Sequence, residues 1–130
     1  MEKTNDQTRS LVRDCFYVRH GERRERCFYS EILYVEASGC YCYIHRRDKP
    51  RLSLAHPLLL LEPFLPVGMF RRVHRSYIIN LFEVEGFIWK AICIGKNVLP
   101  VSPPYQTGVF SCFDFGDTRR GKKGRENEEK

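Results

Sequence analysis

Apolar and polar positions alternate with a period of two over most of this chain, the pattern of half-buried β-strands. Segment 15–19 is aromatic and β-branched, a charged turn covers 20–24, and 26–29 answers it, which predicts a hairpin. A strand over 32–36 follows, then a turn at Ala37, Ser38 and Gly39. The next strand, 41–45, places Tyr41 and Tyr43 on one face. A polar turn over 46–50 ends in Pro50, and 51–54 returns. The period then lengthens. Segment 56–66 predicts one short helix, with Pro57 suited to its first turn, Pro63 ending or kinking it, and Leu58, Leu61 and Leu65 on a core-facing stripe. Strand patterning resumes over 69–73 and 82–89, and the apolar Tyr77, Ile78 and Ile79 between them read as a turn at the edge of the core. Segments 91–94 and 98–101 pair across a turn at Gly95, Lys96 and Asn97. Ser102, Pro103, Pro104 and Tyr105 open a closing segment.

The expectation is a mainly β fold: many short, mostly antiparallel strands with one or two short helices. At 130 residues the chain has room for one domain and can bury enough apolar surface to fold without staples. Residues 1–14 read as a flexible lead-in, 15–113 as the folded domain, and 114–130 as a charged tail expected to be disordered. The N-terminus has no apolar stretch of a signal peptide, and no apolar run is long enough to span a bilayer. A soluble, cytoplasmic protein is expected, with no membrane partner.

Charge narrows the partners. The net charge is +6 and the isoelectric point about 9.1. Residues 15–113 hold 13 Lys and Arg against 8 Asp and Glu, whereas the two ends are close to neutral. The excess therefore sits on the folded part, where it can form a patch for a polyanion. The six cysteines, Cys15, Cys27, Cys40, Cys42, Cys93 and Cys112, lie mostly in apolar stretches and read as small buried hydrophobes. His20, His45, His56 and His74 are scattered, no Gly-x-Ser-x-Gly elbow or Gly-rich phosphate loop occurs, and Cys40 and Cys42 beside His45 make a poor zinc pattern. No enzyme, cofactor, metal site or small-molecule substrate is expected.

One cluster stands out. Arg71, Arg72 and Arg75 surround His74, with Ser76 next. A guanidinium fork matches both phosphate oxygens and the O6/N7 edge of guanine, and a serine hydroxyl can donate to phosphate. A solvated strand edge is the competing explanation. Tyr34, Tyr41, Tyr43 and Trp89 could stack on single-stranded bases, although such aromatics more often pack a sheet face.

The order of these segments resembles the LytTR domain, an output module of bacterial two-component response regulators. Ser30-Glu31-Ile32-Leu33-Tyr34-Val35-Glu36-Ala37 is similar to that family's acidic strand, and Gly39-Cys40-Tyr41-Cys42 to its following turn. Residues 53–65 resemble its helix. Phe70-Arg71-Arg72-Val73-His74-Arg75-Ser76-Tyr77-Ile78-Ile79-Asn80 matches its signature, and Gly95, Pro100, Val101, Ser102 and Tyr105 match its tail. The resemblance spans about 15–113. It implies an elongated fold of about ten short strands in small sheets, whose loops enter successive major grooves of duplex DNA. It implies contacts from Gly39, Cys40 and Tyr41, from the loop holding Arg72, His74, Arg75 and Ser76, and from the loop that runs from Ser102 to Gln106. Arg75 falls at a base-reading position, Arg72 and Ser76 at backbone-contacting ones. Direct-repeat sites common in the family imply a possible second copy on DNA.

The sequence departs from the family where an arginine usually follows Ser102: Pro103 stands there, followed by Pro104. Neither proline has a backbone N–H or a side-chain donor, so the third contact is weakened or moved. No receiver domain precedes the module in this sequence. Three functions follow: a transcriptional regulator binding specific duplex DNA, a LytTR-like interaction or inhibitory module with weakened DNA binding, or a single-stranded nucleic-acid binder.

Overall fold

The alternation resolves into ten strands and two short helices in a computed structural model that describes residues 14–117. In chain order they are β1 (Cys15–His20), β2 (Arg23–Phe28), β3 (Ile32–Ser38), β4 (Tyr41–Arg46), β5 (Lys49–Leu54), α1 (Leu58–Leu61), β6 (Phe70–His74), β7 (Tyr77–Asn80), β8 (Gly86–Ile88), β9 (Ala91–Ile94), β10 (Asn97–Pro100) and α2 (Pro103–Phe110). Every strand pairing is antiparallel. A five-stranded sheet runs β5-β4-β3-β7-β6, β1 and β2 form a separate hairpin, and β8, β9 and β10 form a three-stranded sheet.

The five-stranded sheet is buried on both sides at its centre, along β3 and β7, and its register shows why. Val35 lies opposite Ile44 and Ile78, and all three point into one core with Val18, Cys27, Leu52, Leu58, Leu61 and Leu65. The next position along, Tyr34, lies opposite Ile79, and both point the other way. There they meet Val73, Ile92, Ile94, Leu99, Val101 and Val109. The sheet is thus a middle layer, with the β1–β2 hairpin and α1 on one face and the three-stranded sheet and α2 on the other. Central strand β3 feeds both cores, and for that reason its apolar residues are nearly continuous.

Several expectations hold in detail. Leu58, Leu61 and Leu65 are buried together, and Pro63 converts α1 into a 3-10 turn over Glu62–Phe64. Tyr41, Tyr43 and His45 share one face of β4, opposite the buried Cys42 and Ile44. Of the six cysteines read as buried, Cys15, Cys27 and Cys42 are; Cys93 is half-buried, and Cys40 and Cys112 are exposed because they sit in the β3–β4 turn and just past the end of α2. Burial pushes the Cys27 thiol up to about 12, so it stays protonated and inert at neutral pH. The Cys42 thiol, also pushed up by burial, donates to the His56 carbonyl at 2.9 Å.

Other expectations change. Tyr77, Ile78 and Ile79, read as a turn, belong to strand β7: the chain reverses earlier, at Arg75 and Ser76, and Ile78 and Ile79 fill opposite cores. The strand read over 82–89 is a 3-10 turn at Leu81–Glu83 followed by the three residues of β8, and Trp89 falls in the turn after it. The closing segment at Ser102 is a helix. Ser102 is its extended N-cap residue, and Pro103 and Pro104 occupy the first turn, where a missing N–H leaves no bond unmade. Packing also continues past the expected domain end at Phe113: the Phe115 ring sits edge-on to Phe87 at 5.1 Å. The expected lead-in up to Arg13 and the tail beyond Asp117 lie outside the described residues.

Candidate nucleic-acid interface

Strand pairing brings the three expected contact segments to one end of the molecule. The β3–β4 turn consists of Gly39 and Cys40, because Ser38 pairs with Tyr41. Gly39 has φ +61, a left-handed conformation that glycine adopts without a Cβ clash. The β6–β7 turn consists of Arg75 and Ser76, between the paired His74 and Tyr77. The Ala37 N–H donates to the Ser76 carbonyl at 2.8 Å, so the two turns lie side by side. On the other flank the Ser102 N–H donates to the Val73 carbonyl at 3.0 Å, docking the start of α2 against the end of β6. The order across the surface is therefore 39–41, then 74–76, then 102–106.

The middle turn is braced from within. Arg72 points to the α1 side of the sheet, and its guanidinium makes three hydrogen bonds. Nε donates to the His74 carbonyl at 2.9 Å, Nη2 to the Arg75 carbonyl at 2.7 Å, and Nη1 to Glu62 Oε1 at 2.9 Å. Of the five N–H groups on a guanidinium, two remain for a phosphate. His74 accepts the Ser76 N–H on Nδ1 at 3.1 Å, which in the neutral ring leaves Nε2–H as an outward donor. Its ring leans on Tyr77, with centroids 5.5 Å apart.

What remains unengaged is as telling. The exposed Arg75 guanidinium, the Ser76 and Ser102 hydroxyls, and the Cys40 thiol make no hydrogen bond with any described residue. Tyr41 is half exposed at the mouth of the first turn. Gln106 is partly tethered, its amide donating to the Val101 carbonyl at 3.1 Å. The other arginine of the cluster, Arg71, faces away towards α2, where its Nη1 lies 3.4 Å from the space a Gly108 side chain would fill. Carboxylates elsewhere are mostly engaged: Glu25 with Arg46, Glu31 with Lys49, Glu83 with Arg47, and Glu36 with His45. Two carboxylates stand near the loop end: Glu62, held by Arg72, and Glu36, hydrogen-bonded to His45 and in register with Tyr77.

The four aromatics do not form one stacking platform. Tyr34 is buried and stacked on His45 at 4.3 Å, and Arg51 lies over the Tyr43 ring at 3.9 Å. Tyr41 and Trp89 alone stay open among them. Sequence reasoning missed Glu62 as the anchor of Arg72, and it missed the exposed turn formed by Trp89 and Lys90. No signal in the chain pairs Glu62 with an arginine ten positions on. The turn was hidden because alternation continued smoothly up to Trp89. Among the described residues no cluster of His, Cys, Asp or Glu could hold a metal ion, and no helix is long and apolar enough to cross a membrane.

Comparison with known proteins agrees with this architecture. A search of curated proteins returned no match. Among solved structures, the chain is similar to the LytTr DNA-binding domain of a methyl-accepting/DNA response regulator from Bacillus cereus. The TM-score is 0.62 at 19% identity, covering 78% of this chain and 96% of that one. That likeness shows a shared fold. The LytTr DNA-binding domain pattern matches residues 23–111, from the first residue of β2 to the C-cap of α2, and so takes in all three expected contact segments. The chain belongs to the LytTr DNA-binding domain family.

Proposed function

We propose that this domain binds specific duplex DNA as a transcriptional regulator, presenting its three adjacent loops to successive major grooves. The observation that carries the reading is the contrast inside the middle turn. Arg72 and His74 brace its backbone, while the side chains of Arg75 and Ser76 are left unengaged at its tip. A rigid turn with a free guanidinium suits bidentate recognition of a guanine edge, which contributes about 1–3 kcal/mol of discrimination. Ser76, Ser102 and the Nε2–H of His74 supply donors for phosphate on either side. Gly39, Cys40 and Tyr41 approach a neighbouring stretch of the same duplex. Gln106 has one amide hydrogen and its carbonyl left for contact, and Pro103 presents no donor.

The test is binding to duplexes selected from a random library, compared with scrambled duplexes and single strands across a salt series. Duplex affinity should fall steeply with salt and exceed single-strand affinity. Arg75→Ala should erase most of the preference for selected over scrambled sites. Absence of duplex binding at low salt would refute the reading.

A further inference from the structure

We infer that the β8–β9 turn, Trp89 and Lys90, is a fourth DNA contact that grips the sugar–phosphate backbone beside the α2 loop. The inference rests on the duplex-binding reading above and extends its footprint.

Three observations converge on this turn. The first is position. The Val101 N–H donates to the Lys90 carbonyl at 3.2 Å, and the next residue, Ser102, is the one docked on Val73. The turn is therefore joined through adjoining backbone hydrogen bonds to the α2 loop and then to the Arg75 turn. It continues the same surface on the side where Pro103 removed a donor. The second is exposure. Trp89 is 93% exposed, the most exposed large hydrophobic residue described, although burying an indole is one of the larger stabilising contributions open to a side chain. The third is conformation. Ile88 pairs with Ala91, leaving a two-residue turn in which Trp89 has φ +55. That left-handed region suits glycine or asparagine and disfavours bulky residues. Folding alone explains neither the residue type nor its placement.

The chemistry selects the occupant. Lys90 is exposed and forms no ion pair with any described residue, and Glu85, the nearest acidic residue in sequence, lies at the far end of β8. An ammonium beside a projecting indole matches a phosphate beside a deoxyribose. The indole covers the apolar sugar face, its N–H can donate to a phosphate oxygen, and Lys90 adds a point charge. Such a contact tolerates any base, so it contributes affinity without sequence preference.

Trp89 is the sole tryptophan of the chain, which makes the test direct. The unaltered protein is titrated with a labelled selected duplex, following DNA anisotropy and acrylamide quenching of tryptophan emission together. Saturation should protect the indole, lowering its quenching constant about twofold or more. Trp89→Ala should weaken selected and scrambled duplexes alike by about fivefold, near the lower end for an aromatic contact to nucleic acid. Lys90→Ala should reduce the salt slope by about one. Saturation by anisotropy with unchanged quenching would overturn this inference and leave duplex binding standing. A loss confined to selected sites would also overturn it, since that is base reading. Failure of anisotropy to rise at all would overturn duplex binding, and this inference with it.

Discussion

Replacing Arg72 by lysine separates two roles that alanine would confuse. Lysine keeps the charge, so a residue that acts only as a phosphate ligand should survive the change with little loss. A residue that acts by holding the turn should not, because one ammonium cannot reproduce a planar fork gripping two carbonyls and a carboxylate. The structure sets the size of the effect. Hydrogen bonds from a charged donor contribute about 1.5–3 kcal/mol each when well buried. The Arg72 side chain is 21% exposed, so water recovers part of that, and the two bonds to the His74 and Arg75 carbonyls together amount to about 2 kcal/mol. The pair with Glu62, itself 43% exposed, adds only about 0.5 kcal/mol.

Lost turn order reaches affinity by lowering the fraction of molecules with Arg75 correctly aimed. Two kcal/mol corresponds to about thirtyfold at most. The Ser76–His74 and Ala37–Ser76 hydrogen bonds still restrain the turn, so about tenfold is expected. The assay is anisotropy on a selected duplex at several salt concentrations, with a thermal melt of each variant. Arg72→Lys should bind about tenfold more weakly with its salt slope nearly unchanged, and Glu62→Gln should alter stability by only about 0.5 kcal/mol. Wild-type affinity in Arg72→Lys would refute the bracing role and leave Arg72 a phosphate ligand.

Further consequences can be measured on the same protein. Asn80 is fully buried, donating to the Ile32 carbonyl at 2.9 Å and accepting from the Phe82 N–H at 3.0 Å. Asn80→Ala strands both groups, so chemical denaturation should show a loss of about 2–4 kcal/mol; a loss under 1 kcal/mol would contradict that account. Cys40 is exposed at the tip of the first turn, so in a Cys112→Ser background a maleimide adduct should weaken duplex binding at least tenfold without lowering the melting temperature. Unchanged affinity after complete labelling would remove Cys40 from the interface. Trp89→Gly relieves a left-handed residue at about 1–2 kcal/mol and loses about 0.5–1 kcal/mol to backbone freedom of the unfolded chain. The melting temperature should rise by a few degrees while DNA binding weakens; a fall would show that the indole supports the fold.

The sequence made the sheets legible because their register is written in alternation. Val35 on one face and Tyr34 on the other follow directly from a period of two, whereas Ile78 and Ile79, read as a turn, alternate the same way only once β7 is paired with β3. Helix α1 was legible from its leucine spacing. Helix α2 was not. It begins with two prolines, contains Thr107, Gly108 and Val109, and has little amphipathic pattern, so its local propensity is poor. What holds it is tertiary: Val109 is fully buried against the Val73 and Ile79 face, and Phe110 packs on Phe87. The prolines that read as a damaged contact also serve as a helix start. For the interface, the three segments were legible through a resemblance, but the division of labour among them was not. It depends on Glu62 and on hydrogen bonds between turns that are distant in sequence.

On the proposed duplex-binding reading, that division accounts for so long a motif serving so small a contact. Across Phe70 to Asn80, Phe70 and Ile78 fill one core and Val73 and Ile79 the other. Asn80 ties the end of β7 to the start of β3, while Arg72 and His74 brace the turn. Arg75 and Ser76 alone keep side-chain donors wholly outside this work and at the tip. A turn held only by its two-residue connection would sample many orientations, and ordering it on DNA would offset much of the gain from a base contact. Building the turn between two strands anchored in the cores, with a cation gripping its carbonyls, completes that ordering during folding. The same reasoning predicts where variation is tolerated. On the same proposed duplex-binding reading, Arg75 can change to read a different base, because no described residue depends on its side chain. Changes at Arg72, His74 or Asn80 act on every sequence at once.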